Sequence, residues 1–372
     1  MSVLYDTIII GAGIVGATLA YTLTQENQKV LVLDKNGIAS GGSGAAGAFV
    51  SPKIGKGSPL QTLTNEAFSF AKDFYLATCP EYFHQTGVIR LPKDEGDAQK
   101  FFEYEKYNEN SYEWYSKEKL QSLGIKENFD SFYFPDAGDC DAVEVCQYLL
   151  QEIEVKKEEE VVELQRIDGQ WKLFTLHSSL FTKNVVLATG HESNLADLRY
   201  MGIRGTWGTR GDFSTTLDLT VSMHQAMSVG ANREGIVKLG ATHEKEVKNV
   251  QPCSQAQALS LKEKASSLID TSGLELKEIF CGMRAGSKDY FPLVGKVIDV
   301  PYMLEKYPAI VRGAKPELSH VENLYILNGL GGRGFVFAPL MAKILAAHIV
   351  EEKVLDPRVN PDRLFLKWCR KL

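Results

Sequence analysis

The sequence predicts an α/β chain in which a parallel, Rossmann-like nucleotide-binding sheet is interrupted by a second, mainly antiparallel β region. Three observations predict it. The run DTIIIGAGIVG, from Asp6 to Gly16, feeds a short apolar β-branched segment into a Gly-x-Gly-x-x-Gly turn that opens directly into helical sequence. About twenty residues further on, the second apolar run KVLVL ends in Asp34. Between these signals and the α/β pattern that returns after Pro135, charged and aromatic residues rise together, as in FFEYEKYNENSYEWYSKEKL.

Each glycine of the first turn has a separate job. Gly11 lets the chain turn sharply out of the strand, Gly13 lets backbone approach a pyrophosphate, and Gly16 lets the helix pack close to the sheet. The helix amino terminus offers free N–H donors to an anion, and Asp34 is placed to accept from a ribose hydroxyl. From Gly37 to Gly57 the sequence is rich in glycine, alanine and serine, too poor in side chains for ordinary core, and reads as a backbone-lined cofactor surface. In Asn65 to Tyr75, the residues Phe68, Ala71 and Tyr75 recur at helical spacing and are expected in the core. A helix around Val143 to Glu154, the strand EEEVVEL and a β-meander follow, ending in NVVLATG. Thr189 and Gly190 then sit at a strand's carboxyl end, where a doubly wound sheet keeps its ligands. Ile203 to Glu244 alternates strands and turns, Pro252 to Leu268 reads helical, and IFCGMRAGSKDYFPLVG reads as a strand and an irregular loop.

A second glycine-rich turn, GLGGRG from Gly329 to Gly334, lies between the strand LYIL and a helix expected to begin near Pro339. No acid-terminated strand follows it, so it cannot build a second ribose site. It fits instead a turn that approaches another part of the same dinucleotide, where N–H groups stabilise negative charge on a reduced ring, as a flavin requires.

With 372 residues, 44% of them hydrophobic, the chain is long enough for about two structural units. No run is expected to reach membrane-spanning length, and the fold starts within a few residues of Met1, so a cytoplasmic protein is expected. The six cysteines, at 79, 140, 146, 253, 281 and 369, show no C-x-x-C pair and read as reduced. The seven histidines lack metal-ligand spacing, so no metal is expected. A net charge of −6 gives no global attraction to nucleic acid.

Taken together, GAGIVG with Asp34, GGSGAAGAFVSP, NVVLATG, CGMRAGSKDYFPLVG and LNGLGGRGFVFAP resemble the FAD-dependent amine oxidoreductases related to glycine oxidase and D-amino-acid oxidase. NEAFSFAKDFY, ATGHES, KLGATHEK, Arg284 and Asp289 ahead of PLVG, and NPDRLFLKW are most similar to one branch, the oxidoreductase module of the bifunctional tRNA-modifying MnmC enzymes. The resemblance implies a glycine oxidase-like fold, with an FAD-binding domain over 1–78, 140–201 and 319–372 and a substrate domain over 79–139 and 202–318. Because only a few residues precede the first strand, the methyl transfer of the bifunctional enzymes is not expected.

Motif and resemblance together assign FAD to Gly11, Gly13, Ile14, Val15, Gly16, Asp34, Lys35, Gly42, Ser43, Ala45, Ala46, Gly47, Val161, Thr189, Gly190, Gly331, Gly332, Arg333 and Gly334. The family pattern carries its substrate-carboxylate arginine at Arg284, where a guanidinium fork binds two oxygens in a fixed plane. Arg333 adds positive potential beside the flavin, and Tyr290 is placed to line the substrate pocket. Some relatives attach flavin covalently through a cysteine near the strand that carries Cys281. His191 and His243 match the tRNA-enzyme branch but are left outside the catalytic set. The basic end, with Arg363, Lys367, Arg370 and Lys371, is a candidate for tRNA phosphates. The implied reaction removes the carboxymethyl group from 5-carboxymethylaminomethyl(-2-thio)uridine at the tRNA wobble position. Oxidation of a free amino acid such as glycine, sarcosine or a D-amino acid is the alternative, and a flavoprotein scaffold in a tRNA-modification assembly is a third.

Overall fold

The computed structural model describes residues 5–192, 194–245, 247 and 249–372. Its framework is a mixed sheet in which the strand Tyr5–Ile10, β1, lies between Val30–Asp34, β2, and Ser179–Leu187, parallel to both. The alternation of side chains along a strand sends the three isoleucines of β1 to opposite faces. Ile9, with Val32 and Val186, packs toward the helix Ile14–Gln25, α1, whereas Ile8 and Ile10 pack with Leu31, Leu33, Val185 and Leu187 on the other face. Both faces being covered, the strand reads as a continuous apolar run, as parallel strands do.

Besides β1, strand 179–187 serves two further neighbours. Its first half pairs antiparallel with Gln170–Thr175, and its second half pairs parallel with His320–Asn328. Leu293–Ile298 then adds antiparallel to His320–Asn328, so this strand belongs to the nucleotide-type sheet although the sequence places 202–318 with the second region. PLVGKVI has neither a glycine turn nor a following acid to mark that membership.

The second sheet has eight strands, beginning with Glu275–Gly286 and Arg204–Ser214, which pair antiparallel along most of their length. Its far half takes in Val88–Arg90, Ser131–Phe134 and Glu113–Tyr115, and the single parallel pairing joins Ser222–His224 to Val88–Arg90. A separate three-stranded sheet is formed by Phe49–Val50, Gly138–Cys140 and Phe83–His84. The fold is α/β, with the mainly antiparallel second region that the sequence predicts.

Phe68, Ala71 and Tyr75 are buried on the helix Pro59–Thr78, α2, as their spacing requires. The helix after GLGGRG differs from expectation. It runs Gly334–Glu351 and contains Pro339 inside it rather than at its start. Proline has no N–H to give the carbonyl four residues back, that of Phe335. The Tyr75 hydroxyl donates to that carbonyl instead, at 2.8 Å in a buried setting. Tyr75→Phe is therefore expected to cost about 1–3 kcal/mol, the penalty for a buried acceptor without a donor, measurable by urea unfolding. The stretch Gly331–Glu351 is also long and apolar enough to cross a membrane, contrary to expectation, but half of it is buried inside the fold, and a helix apolar on all sides is a pattern that core helices share with membrane spans.

The cysteines need a second correction. Cys253 and Cys281 are joined in a disulfide with Cα atoms 5.5 Å apart, while Cys79, Cys140, Cys146 and Cys369 are free and buried. The 28-residue separation, with an intervening helix, hides the pair from spacing rules. The Cys281 sulfur, bonded to Cys253, is thereby closed to covalent attachment of a flavin.

Candidate functional site

One elongated cavity of about 1060 Å³ runs from the first glycine turn to the second sheet. It is just above the range usual for small-molecule sites. Gly11, Gly13, Ile14 and Val15 form one wall, Asp34 and Lys35 the end beside β2, Gly42, Ser43, Ala46 and Gly47 a second wall, and Val161, Thr189 and Gly190 a third. Gly331, Gly332, Arg333 and Gly334 close it toward Arg284 and Tyr290. Two residues named from the sequence do not line it. Gly16 lies under the turn, where an added Cβ would stand 1.9 Å from the Gly11 carbonyl oxygen, and Ala45 packs on the strand carrying Gly282.

The glycine turns are shaped by close approach. Gly11 has φ +115°, and a Cβ there would meet the Ala188 carbonyl oxygen at 2.4 Å. At Gly13 a Cβ would meet Ser43 Oγ at 2.8 Å, and that hydroxyl accepts from the Ile14 N–H at 2.9 Å. The N-cap residues of the helices Ile14–Gln25 and Gly334–Glu351, Gly13 and Arg333, make no side-chain capping bond, and apart from the Ile14 N–H held by Ser43 the amino termini of both helices line the cavity. The Cβ positions of Gly41 and Gly190 face open space within the same cavity. An elongated cleft edged by bare backbone and two helix amino termini fits FAD; Gly11–Val15 would hold its pyrophosphate and Gly331–Gly334 would approach its ring.

Asp34 does more than wait for a ribose. Its Oδ2 accepts from the Ala12 N–H at 2.8 Å and its Oδ1 from the N–H groups of Asn36 and Gly37 at 2.9 and 2.8 Å, bracing the first turn against the end of β2. Lys35 pairs with Glu192 at 2.7 Å. The Thr189 hydroxyl donates to the Glu192 carbonyl, and the Gly190 carbonyl accepts from Asn328 Nδ2 at 2.8 Å. The small-residue segment is held to the second sheet by buried Arg210, which donates to the Ala46 carbonyl and pairs with Asp212 at 2.9 Å. No motif marks Arg210 in the sequence, because its role depends on two strands meeting a distant loop.

At the other end the wall is cationic. Arg284 makes one side-chain hydrogen bond, from Nη1 to the Thr242 carbonyl at 3.1 Å, and no carboxylate among the described residues lies within ion-pair distance. Asp289, the nearest acid in sequence, takes a two-point bond from Arg363 instead, at 2.9 and 3.0 Å. Arg363 is thus tied into the fold by its pair with Asp289. Gly208 keeps room for the guanidinium, since a Cβ there would stand 2.2 Å from Arg284 Nη2. Gly208→Ala is expected to weaken carboxylate binding about 10- to 100-fold while the protein keeps its flavin, as a ligand titration of the flavin spectrum would read. Arg333 donates to the Ser51 carbonyl at 3.4 Å, and burial pushes its guanidinium down to about 10, still charged at neutral pH. Tyr290 adopts φ +67° and is 77% exposed at the cavity's edge, so it borders the entrance rather than the interior.

The sequence reading missed Lys53, Arg90 and His224, all of which line this end. His191 and His243 line the cavity too. Burial and the cations Arg90 and Arg333 push His224 well below its ordinary value, and burial and Arg284 lower His243, so both rings are neutral at pH 7. The sign for stability follows. Between the lowered folded value and the ordinary 6.5, the unfolded chain binds a proton that His224 refuses in the fold. Stability should fall as pH drops below 6.5, by at most about 1.4 kcal/mol per pH unit for this group. His224→Gln should flatten that part of a melting-temperature profile.

The family model described as DAO, FAD dependent oxidoreductase, matches residues 6–348. Among curated relatives, the tRNA 5-methylaminomethyl-2-thiouridine biosynthesis bifunctional protein MnmC of Marinobacter nauticus is 28% identical over 389 residues, covering 96% of this chain and 58% of that protein. The MnmC protein of Shewanella amazonensis is 27% identical, over 99% of this chain and 60% of its own length. The chain therefore spans less than two thirds of the relatives it matches. Among solved structures, glycine oxidase from Bacillus cereus superposes with a TM-score of 0.77 at 19% identity, over 94% of this chain and 96% of that one. L-proline dehydrogenase from P. horikoshii gives a TM-score of 0.77 at 17% identity, over 98% of both chains. These two share the fold.

Proposed function

We infer the reaction from one premise: the chain belongs to the DAO family of FAD-dependent oxidoreductases, whose model it matches over residues 6–348. When bound, FAD supplies a two-electron acceptor for a hydride leaving carbon next to nitrogen. We propose that the substrate is 5-carboxymethylaminomethyl(-2-thio)uridine at the tRNA wobble position and that the reaction removes its carboxymethyl group.

The observation that carries this reading is Arg284, a half-buried guanidinium without a carboxylate partner among the described residues, facing the cavity shared by both glycine turns. A planar fork of this kind holds a carboxylate in one orientation. The Thr242 carbonyl fixes one of its donors, and Gly208 leaves it space. Cations and burial around the bound amine disfavour its ammonium form, so the lone pair needed for oxidation is available without a strong base. Loss of a hydride from the glycyl carbon and a proton from nitrogen leaves an imine, which water splits into glyoxylate and the aminomethyl nucleoside.

The tRNA part of the proposal rests on the MnmC-named relatives and on charge near the entrance. Lys288, two residues from Tyr290, is lowered by its neighbours Lys371, Arg204 and Lys367, which marks a basic cluster suited to phosphates. Because an arginine anchor would serve any α-amino carboxylate, oxidation of free glycine, sarcosine or a D-amino acid is the second reading. Nucleoside mass spectrometry of tRNA from a deletion strain separates them. The proposal expects carboxymethylaminomethyl uridine to accumulate and to disappear when the gene is restored. An unchanged nucleoside profile would reject it.

A further inference from the structure

We propose that the cavity holds a second anion subsite, formed by Lys53, Arg90 and Arg333, which binds a negatively charged group of the substrate other than the carboxylate held by Arg284. The inference rests on the Arg284 reading above and adds to it a requirement on the substrate, that it carry two anionic groups.

Three separate parts of the chain deliver these cations to one place. Lys53 follows the strand Phe49–Val50, Arg90 ends the strand Val88–Arg90 of the second sheet, and Arg333 stands in the turn before Gly334–Glu351. All three line the cavity. They are close enough to feel one another: Lys53 is lowered by burial and then by Arg333 and Arg90, and Arg90 is lowered to about 9 by burial and then by Arg333. Both arginines nevertheless stay protonated at neutral pH.

What they lack is a counter-charge. Among the described residues none of the three has a carboxylate within ion-pair distance. Arg90 Nε is buried without any hydrogen-bond partner, and the Arg333 side chain has only the long bond to the Ser51 carbonyl. Asp97, the acid that acts on Arg90 at longer range, accepts from the Lys93 N–H at 3.2 Å. His224 beside them is neutral. Burying like charges together is unfavourable unless something of opposite sign joins them. The dinucleotide pyrophosphate belongs at the opposite end, on the helix Ile14–Gln25, and one substrate carboxylate matches only one of the four cations.

The two subsites diverge from a common turn. A Cβ on Gly332 would lie 3.9 Å from Arg284 Cδ, and the next residue is Arg333. Arg284 bonds toward Thr242, whereas Arg333 bonds toward Ser51. An amine placed between them would have its carboxylate on one side and a second oxyanion, a carboxylate or a phosphate, on the other.

Two ligand pairs, each differing by one anionic group, test this with the FAD-loaded protein. Sarcosine and iminodiacetate differ by a carboxylate, and 5-carboxymethylaminomethyluridine and its 5′-monophosphate differ by a phosphate. Apparent dissociation constants are read from the concentration dependence of anaerobic flavin reduction. In at least one pair the more anionic member should bind about tenfold tighter, the order of one added charge-assisted contact. The pair that shows the gap identifies the source of the second anion. Arg90→Met and, independently, Lys53→Met should close the gap to within about twofold, and Arg90→Lys should keep most of it, with flavin content and circular dichroism confirming the fold of each. No gap in either pair, or a gap untouched in both Met variants, overturns the subsite while leaving the Arg284 reading intact. Failure of all four compounds to reduce the flavin removes that reading and the subsite with it.

Discussion

Arg284→Met should lower kcat/KM for the amine substrate by about a thousandfold while the protein still purifies with bound flavin. The size follows from what the side chain does. Hydrogen bonds to charged groups contribute about 1.5–3 kcal/mol each, and a carboxylate on a guanidinium fork takes two of them. Losing both amounts to about 4 kcal/mol, or three orders of magnitude. Methionine matches much of the stem volume, so packing around the stem is retained and the effect reports charge and geometry. Arg284→Lys should recover only part of the loss, because an ammonium cannot present two coplanar donors. Steady-state kinetics with the flavin spectrum as a control measures this. Unchanged kcat/KM in the Met variant would move the carboxylate site elsewhere.

Gly11→Val has the other large expected effect, on the cofactor rather than the substrate. Its φ of +115° is a conformation that side-chain-bearing residues rarely adopt, and its Cβ would stand 2.4 Å from the Ala188 carbonyl oxygen. That oxygen cannot yield cheaply. The Ala188 N–H donates to the Ile10 carbonyl at 2.9 Å, and the Gly11 N–H donates to Leu33 at 2.8 Å, so the turn is tied to both flanking strands. Backbone strain alone costs about 1–3 kcal/mol, and the overlap adds to it in the part of the wall that faces the pyrophosphate. The variant should purify colourless and melt at lower temperature, as visible absorbance and calorimetry would show. Full flavin occupancy in this variant would contradict the assignment of the first glycine turn.

Much of this was legible because it is local. The spacing of Gly11, Gly13 and Gly16 after three isoleucines encodes strand, turn and helix within a few residues, and the structure builds them in that order. Arg284 was legible through its motif, and the structure adds the reason it is free, Asp289 being held by Arg363. What was hidden depends on long-range meetings. Pro339 reads as a helix start until the Tyr75 hydroxyl, distant in sequence, is seen serving the carbonyl it strands. The strand Leu293–Ile298 takes its sheet from its pairing with His320–Asn328, not from its own composition. Cys253 and Cys281 carry no spacing signal, and Lys53 and Arg90 look like ordinary surface cations until the two sheets bring them to one cavity.

The most direct measurement is anaerobic mixing of the FAD-loaded protein with tRNA bearing 5-carboxymethylaminomethyluridine, followed by flavin absorbance and nucleoside mass spectrometry on the same sample. The account predicts that the flavin bleaches in proportion to tRNA, that glyoxylate is released, and that the nucleoside becomes aminomethyluridine. A flavin that stays oxidised with this tRNA, yet bleaches with free glycine or D-alanine, would contradict it.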